Sequence, residues 1–169
     1  YQPYRGIEGL RLAMSQWYLK TYNVELDPHD EILPLMGSKE GIMHISLAFL
    51  NSDDKVLVPD PGYLAYGAAA RMTGATPISY PLKEPDWEPD WKYLEGLDWK
   101  AIKLWWINYP HMPTGTRTTH DKLKKILDLA KEKNVLLIND NPYSLVLNEE
   151  APISLLQQEG FRNNALELN

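Results

Sequence analysis

The segment NDNPY, Asn139 to Tyr143, follows the apolar run VLLI and places Asp140 one residue beyond it. A carboxylate at a strand end is costly to bury unless a cation or several donors meet it, and carboxylates so placed often face a functional group. An Asx-type turn leading into Pro142 accounts for the same residues equally well. Three further stretches could bear on the same chemistry. GSKEG offers a glycine turn at Gly37, a hydroxyl at Ser38 and the positive end of a helix that includes Lys39, which together suit a phosphate. A plain N-cap at Ser38 explains the serine without any ligand. The spacing matches neither the G-x-x-x-x-G-K-[ST] loop nor the G-x-G-x-x-G fingerprint. DPGY puts Tyr63 beyond a strand and a Pro-Gly turn, where its ring either lies on a flat ligand or packs in the core. NYPHMPTGT carries Met112 before Pro113-Thr114-Gly115, with His111 read as a turn histidine whose ring faces solvent.

These positions make sense only if each follows a strand. KVLVPD, TPISY, IKLWWINYP and VLLINDNPY read as strands, and their continuous apolar character favours a sheet covered on both faces. Between them lie helices. Ile7, Leu10, Met14, Trp17 and Tyr18 recur at helical spacing, with Arg11 and Lys20 expected outside. KEGIMHISLAFL is apolar nearly all round, which implies deep burial. A helix is expected from about Tyr63 to Met72. TTHDKLKKILDLAKEKN has Leu123, Ile126, Leu127 and Ala130 on one face and a capping box between Thr118 and Asp121. The tandem PDWEPDW is read as turns that pin Trp87 and Trp91 onto the surface. Alternating strands and helices predict a three-layer α/β/α domain with a mainly parallel sheet, and ligands in such sheets bind beyond the strands' carboxyl ends.

With 169 residues the chain is sized for one domain, residues 1–169. No apolar run approaches membrane-spanning length, so a cytoplasmic protein without a membrane partner is expected. The absence of cysteine excludes disulfides and thiolate metal sites. A net charge of -6 argues against a general nucleic-acid binder, and Lys122, Lys124 and Lys125 read as the wet side of a helix. Both ends read as interrupted: the chain opens on Tyr1-x-Pro3 and closes on NNALELN, a strand just beginning. A segment of a longer polypeptide is therefore expected.

A phosphate turn, a stacking aromatic, a Pro-Thr-Gly turn and a carboxylate followed by a tyrosine together suit pyridoxal phosphate, with its dianionic phosphate, flat ring, phenolic O3′ and protonatable nitrogen. In this order the motifs resemble the class I/II aminotransferases of fold type I, closest to the branch containing bacterial aspartate and LL-diaminopimelate aminotransferases. The resemblance implies that Gly37, Ser38 and Lys39 hold the cofactor phosphate and that Tyr63 stacks on the ring. Asp140 would pair with the ring nitrogen and Tyr143 would reach O3′. Tyr1 would cross a homodimer interface to the partner's phosphate. In that family the residue before Pro-Thr-Gly is usually an asparagine that reaches O3′; here it is Met112, which cannot donate a hydrogen bond. Asn108 or Asn141 could substitute. The family's cofactor-binding lysine and substrate-gripping arginines would lie beyond Asn169, together with a small C-terminal domain. The implied activity is exchange of an amino group between an amino acid and a 2-oxo acid. A non-catalytic sensor module of a transcription regulator, another fold type I lyase or synthase, and an unrelated doubly wound domain are the alternatives.

Overall fold

The computed structural model describes residues 3–146 and 150–169. Among the described residues six strands form one sheet: β1 (Lys55–Asp60), β2 (Thr76–Lys83), β3 (Glu88–Pro89), β4 (Ile102–Ile107), β5 (Leu136–Asp140) and β6 (Ala165–Leu168). Their spatial order is β3-β2-β1-β4-β5-β6, parallel throughout except for β3, which runs antiparallel to β2. The helices are α1 (Glu8–Tyr22), α2 (Ser38–Phe49), α3 (Leu64–Met72), α4 (Trp91–Glu95) and α5 (His120–Glu132).

Alternation along the strands builds two cores. In β4, Trp105 and Ile107 face α5, joining Leu57, Leu137 and the helix stripe Leu123, Ile126, Leu127 and Ala130. Leu104 and Trp106 face the other way, joining Val56, Val58, Ile138 and residues of α2 and α3 such as Ile42, Tyr66 and Ala70. Adjacent tryptophans thus serve opposite layers, as the two-residue period of a strand requires. The three-layer α/β/α architecture follows directly.

Several local expectations are corrected. Arg11 is buried rather than outside: its guanidinium donates to the carbonyls of Pro28, Arg5 and Gly6, which offsets the cost of burying the charge. The N-cap Ile7 and Leu10 of the same helix are exposed, and Tyr18 and Tyr22 are the core residues. In α2 only Gly41, Ile42 and Ser46 are buried, while Leu47 and Phe49 stand in the open. Thr119, not Thr118, caps α5 by accepting from Lys122 N. Lys122 is not wet; its ammonium reaches the Asp86 carbonyl and Glu88 and lies over the Tyr109 ring. The PDWEPDW stretch is more ordered than turns alone, for it contributes β3 and α4, capped by Asp90.

Candidate functional site

The chain leaves β1 to build β2 on one side and then returns to build β4 on the other, so the connections after β1 and β4 diverge between these strands. That reversal opens a crevice at the carboxyl edge of the sheet. Pro61 to Tyr63 follow β1, Asn108 to Gly115 follow β4, and Asp140 ends β5. Gly62 is required in the first turn, since a Cβ there would sit 2.3 Å from the Pro59 carbonyl oxygen.

Asp140 is 3% exposed. Its Oδ2 accepts a hydrogen bond of 2.8 Å from the Tyr66 hydroxyl, whereas Oδ1 has no hydrogen-bond partner among the described residues. Burial raises the carboxyl's pKa, and the Tyr66 bond opposes that rise without cancelling it. Tyr66 is itself fixed from two sides. Its ring stacks on Trp106 at 4.8 Å with planes 9° apart, and Tyr63 meets it edge-on at 5.6 Å. One oxygen of a buried carboxylate is therefore satisfied, and the other is left for a donor or cation that the described residues do not supply.

The loop after β4 is tied down through Asn108 and His111. Asn108 donates to the Asp140 carbonyl at 2.6 Å and accepts from Met112 N at 2.8 Å. Both ends of its amide thus hold backbone, which fixes the side chain in place and leaves the second N–H of Nδ2 as its remaining donor. Asn141 is buried close to the Tyr22 hydroxyl but outside hydrogen-bond geometry with it. His111, expected in solvent, is instead buried, with Nδ1 at 2.8 Å from Thr114 Oγ1 and Nε2 at 3.1 Å from the Pro61 carbonyl. Burial lowers its pKa. Backbone bonds from His111 N to Thr116 O and from Gly115 N to His111 O close the loop, and Gly115 takes a φ of +74° that favours glycine. The Tyr143 hydroxyl lies 3.7 Å from the Met112 sulfur.

Gly37 rather than Ser38 is the N-cap of α2, with a φ of +103°, and Ser38 is the first helical residue. Gly37 has open space where a Cβ would point. Glu40 turns back to accept from Met36 N at 2.6 Å. Against Gly41 a Cβ would come within 2.9 Å of the Leu168 side chain, so this helix start lies over the carboxyl end of β6, at the same edge of the sheet as Asp140. Lys39 is exposed. Tyr1 lies outside the described residues.

The structure thus brings Tyr63, Met112, Asp140 and Tyr143 to one edge, linked by Tyr66 and Trp106, which the sequence did not single out, and by His111, which it placed in solvent. Tyr66 had a signal, being one helical turn beyond Tyr63 in YLAY. Trp106 and His111 had none, because their partners lie in other strands. Tyr66→Phe should cost about 1–3 kcal/mol in a thermal melt, since a buried carboxylate loses its one side-chain donor. The Asp140 pKa should rise further in that variant, which carboxyl-selective NMR would register.

The family model described as "Aminotransferase class I and II" matches residues 1–160. The LL-diaminopimelate aminotransferase of Aquifex aeolicus is 42% identical over 176 residues, which cover 100% of this chain and 44% of that protein. That of Dehalococcoides mccartyi is 37% identical, again over 100% of this chain and 44% of the relative. Among solved structures, substrate-bound BacF from Bacillus subtilis superposes with a TM-score of 0.93 at 32% identity, over 99% of this chain and 43% of that one. A probable N-succinyldiaminopimelate aminotransferase from Thermus thermophilus gives 0.87 at 34% identity, over 93% and 42% of the respective chains. The chain spans less than half the length of these relatives.

Proposed function

Because the chain belongs to the class I and II aminotransferases, a pyridoxal phosphate-dependent family, we propose that residues 1–169 form the cofactor-binding large domain of a transaminase. The parent protein would exchange an amino group between an amino acid and a 2-oxo acid. The lysine that binds the cofactor and moves the Cα proton would lie beyond Asn169, with the substrate-binding arginines and the small C-terminal domain.

The observation that carries this reading is the unpartnered Oδ1 of Asp140. A buried carboxylate with a raised pKa and one free oxygen fits a cationic ring nitrogen, because pairing supplies the missing charge and donor together. The other residues fit as well. Gly37, Ser38 and Lys39 would hold the phosphate with backbone N–H groups at the positive end of α2 and a nearby ammonium. Tyr63 would lie against the ring, and Tyr143 would donate to O3′ beside Met112. Bound in this way, the cofactor would supply an electron sink at the substrate's Cα. Asp140 would keep a proton on the ring nitrogen by stabilising the positive charge there. Tyr66 occupies Oδ2, so that Oδ1 is the oxygen presented. Asn108 locks the end of β5 to the Met112 loop.

A cytoplasmic homodimer completes the proposal. Leu47 and Phe49 on α2, and Leu64 and Met72 on α3, are each more than half exposed, which suits a covered face in an assembly. Tyr1 would then serve the partner's phosphate. The test is to load the full polypeptide with pyridoxal phosphate. The visible absorbance should be lost on adding an amino donor and recovered on adding a 2-oxo acid. A protein that retains no cofactor would overturn the reading. Met112 favours one second possibility, a binding module without turnover, because its sulfur engages Tyr143 and cannot donate to O3′. Retention of cofactor with no amino exchange would support that version.

A further inference from the structure

We propose that His111 is a positioning residue that clasps the turn carrying Tyr63 to the loop carrying Met112. The proposal rests on the reading of this crevice as a pyridoxal phosphate pocket. Among the described residues, the contact between His111 Nε2 and the Pro61 carbonyl, at 3.1 Å, is the one hydrogen bond that joins these two turns, 50 positions apart in the chain. The turns follow β1 and β4, the strands between which the topology reverses, so the sheet's own hydrogen bonds no longer connect the chain there.

The chemistry of the partners fixes the direction of each bond. A carbonyl only accepts, so Nε2 carries the hydrogen; burial lowers the ring's pKa and keeps it neutral, so Nδ1 keeps its lone pair. The Thr114 hydroxyl at 2.8 Å must then donate to Nδ1. With that proton committed, the Thr116 hydroxyl, 3.0 Å away, donates to Thr114 Oγ1, and Thr116 N approaches the same oxygen at 3.3 Å. A polarised chain thus runs from Thr116 through Thr114 and the imidazole to Pro61. The backbone N–H and carbonyl of His111 close the 111–116 loop at the same time. Every polar group of a residue that is 2% exposed is engaged, and the imidazole is neutral in a single tautomer. Tyr63 is two residues from Pro61 and caps α3 without a side-chain bond of its own, so its position depends on how that turn is held.

Two variants of the full polypeptide separate a clasp from mere packing. In His111→Gln the side-chain amide reaches as far as Nε2 and can donate to the Pro61 carbonyl. In His111→Asn it reaches only as far as Nδ1, keeps Thr114 and loses Pro61. Fluorescence titration with pyridoxal phosphate should give a dissociation constant for the Gln variant within about threefold of the parent, and about tenfold weaker binding for the Asn variant. In the cofactor-free protein, amide exchange at Gly62 and Tyr63 should accelerate in the Asn variant alone. Equal behaviour of the two variants in both measurements would overturn the clasp. So would imidazole nitrogen NMR of the unsubstituted protein that found the proton on Nδ1. If the unsubstituted protein bound no pyridoxal phosphate, the functional reading would fall, and the exchange and tautomer measurements on cofactor-free protein would still decide the clasp.

Discussion

Asp140→Asn should lower turnover of the full polypeptide by about 10²–10⁴-fold while making the cofactor-free protein more stable. Asparagine keeps the shape and can still accept from Tyr66, but it carries no charge to stabilise a ring cation. The gain in stability follows from the raised pKa of Asp140. A carboxyl whose folded pKa exceeds its unfolded value contributes stability that is fully present below the unfolded value, about 3.9, and is lost as pH rises through the folded one. The asparagine variant escapes this loss. Its advantage should be absent in strong acid and should grow as pH passes the folded pKa, seen as a higher melting temperature than that of the wild type. Melting curves of both proteins across pH, without cofactor, check the sign. With cofactor added, the order should reverse, because the wild-type protein alone gains a paired cation.

The second large effect belongs to Glu167, on β6. Its half-buried carboxylate gathers four donors from three parts of the chain. Oε1 is met by the Tyr18 hydroxyl at 3.1 Å and by Ser154 Oγ at 2.5 Å. Oε2 is met by Asn139 Nδ2 at 2.8 Å and by Leu155 N at 2.9 Å. Through these bonds β6 is fastened to α1, to β5 and to the 3₁₀ turn Leu155–Gln157. Glu167→Ala strands all four donors and should destabilise by at least about 3 kcal/mol in denaturant titration. Glu167→Gln should cost less than about 1 kcal/mol. Its nitrogen can take the Oε1 position, where both neighbours are hydroxyls able to turn and accept, while its oxygen keeps the two N–H donors that cannot reverse. Burial raises the Glu167 pKa against the effect of these bonds, so its contribution too is complete below about 4.3 and declines as pH rises through the folded pKa. The glutamine variant should therefore improve relative to wild type as pH rises.

These two carboxylates show what local pattern reveals and where it stops. The strands β1, β4 and β5 were legible as apolar runs, β6 as a strand beginning at Ala165, and α5 as a stripe with period 3.6, because burial on both faces or one face is written into consecutive residues. The order of the turns that follow them was legible for the same reason, and with it the positions of Tyr63, Met112 and Asp140. Arg11 and Lys122 were misplaced because the groups that offset the cost of their burial are carbonyls and a carboxylate distant in sequence. His111 was misplaced likewise: nothing in HMPTG discloses that Pro61 stands opposite. The caps at Gly37 and Thr119 each lie one residue from the expected place, since neighbouring residues of similar propensity compete and tertiary contacts choose between them. The exposed face of α2 was read as core because periodicity reports apolar character, not what covers it.

A positive charge opposite Asp140 Oδ1 is what the buried carboxylate calls for, and the ring nitrogen can report that charge itself. The measurement is the nitrogen NMR spectrum of the full polypeptide loaded with ring-¹⁵N pyridoxal phosphate, at roughly pH 8, well above the pKa range of an ordinary carboxylate. The wild-type spectrum should show a protonated nitrogen and the Asp140→Asn spectrum an unprotonated one. An unprotonated nitrogen in the wild type, or a protonated one in both proteins, would contradict the assignment of Asp140.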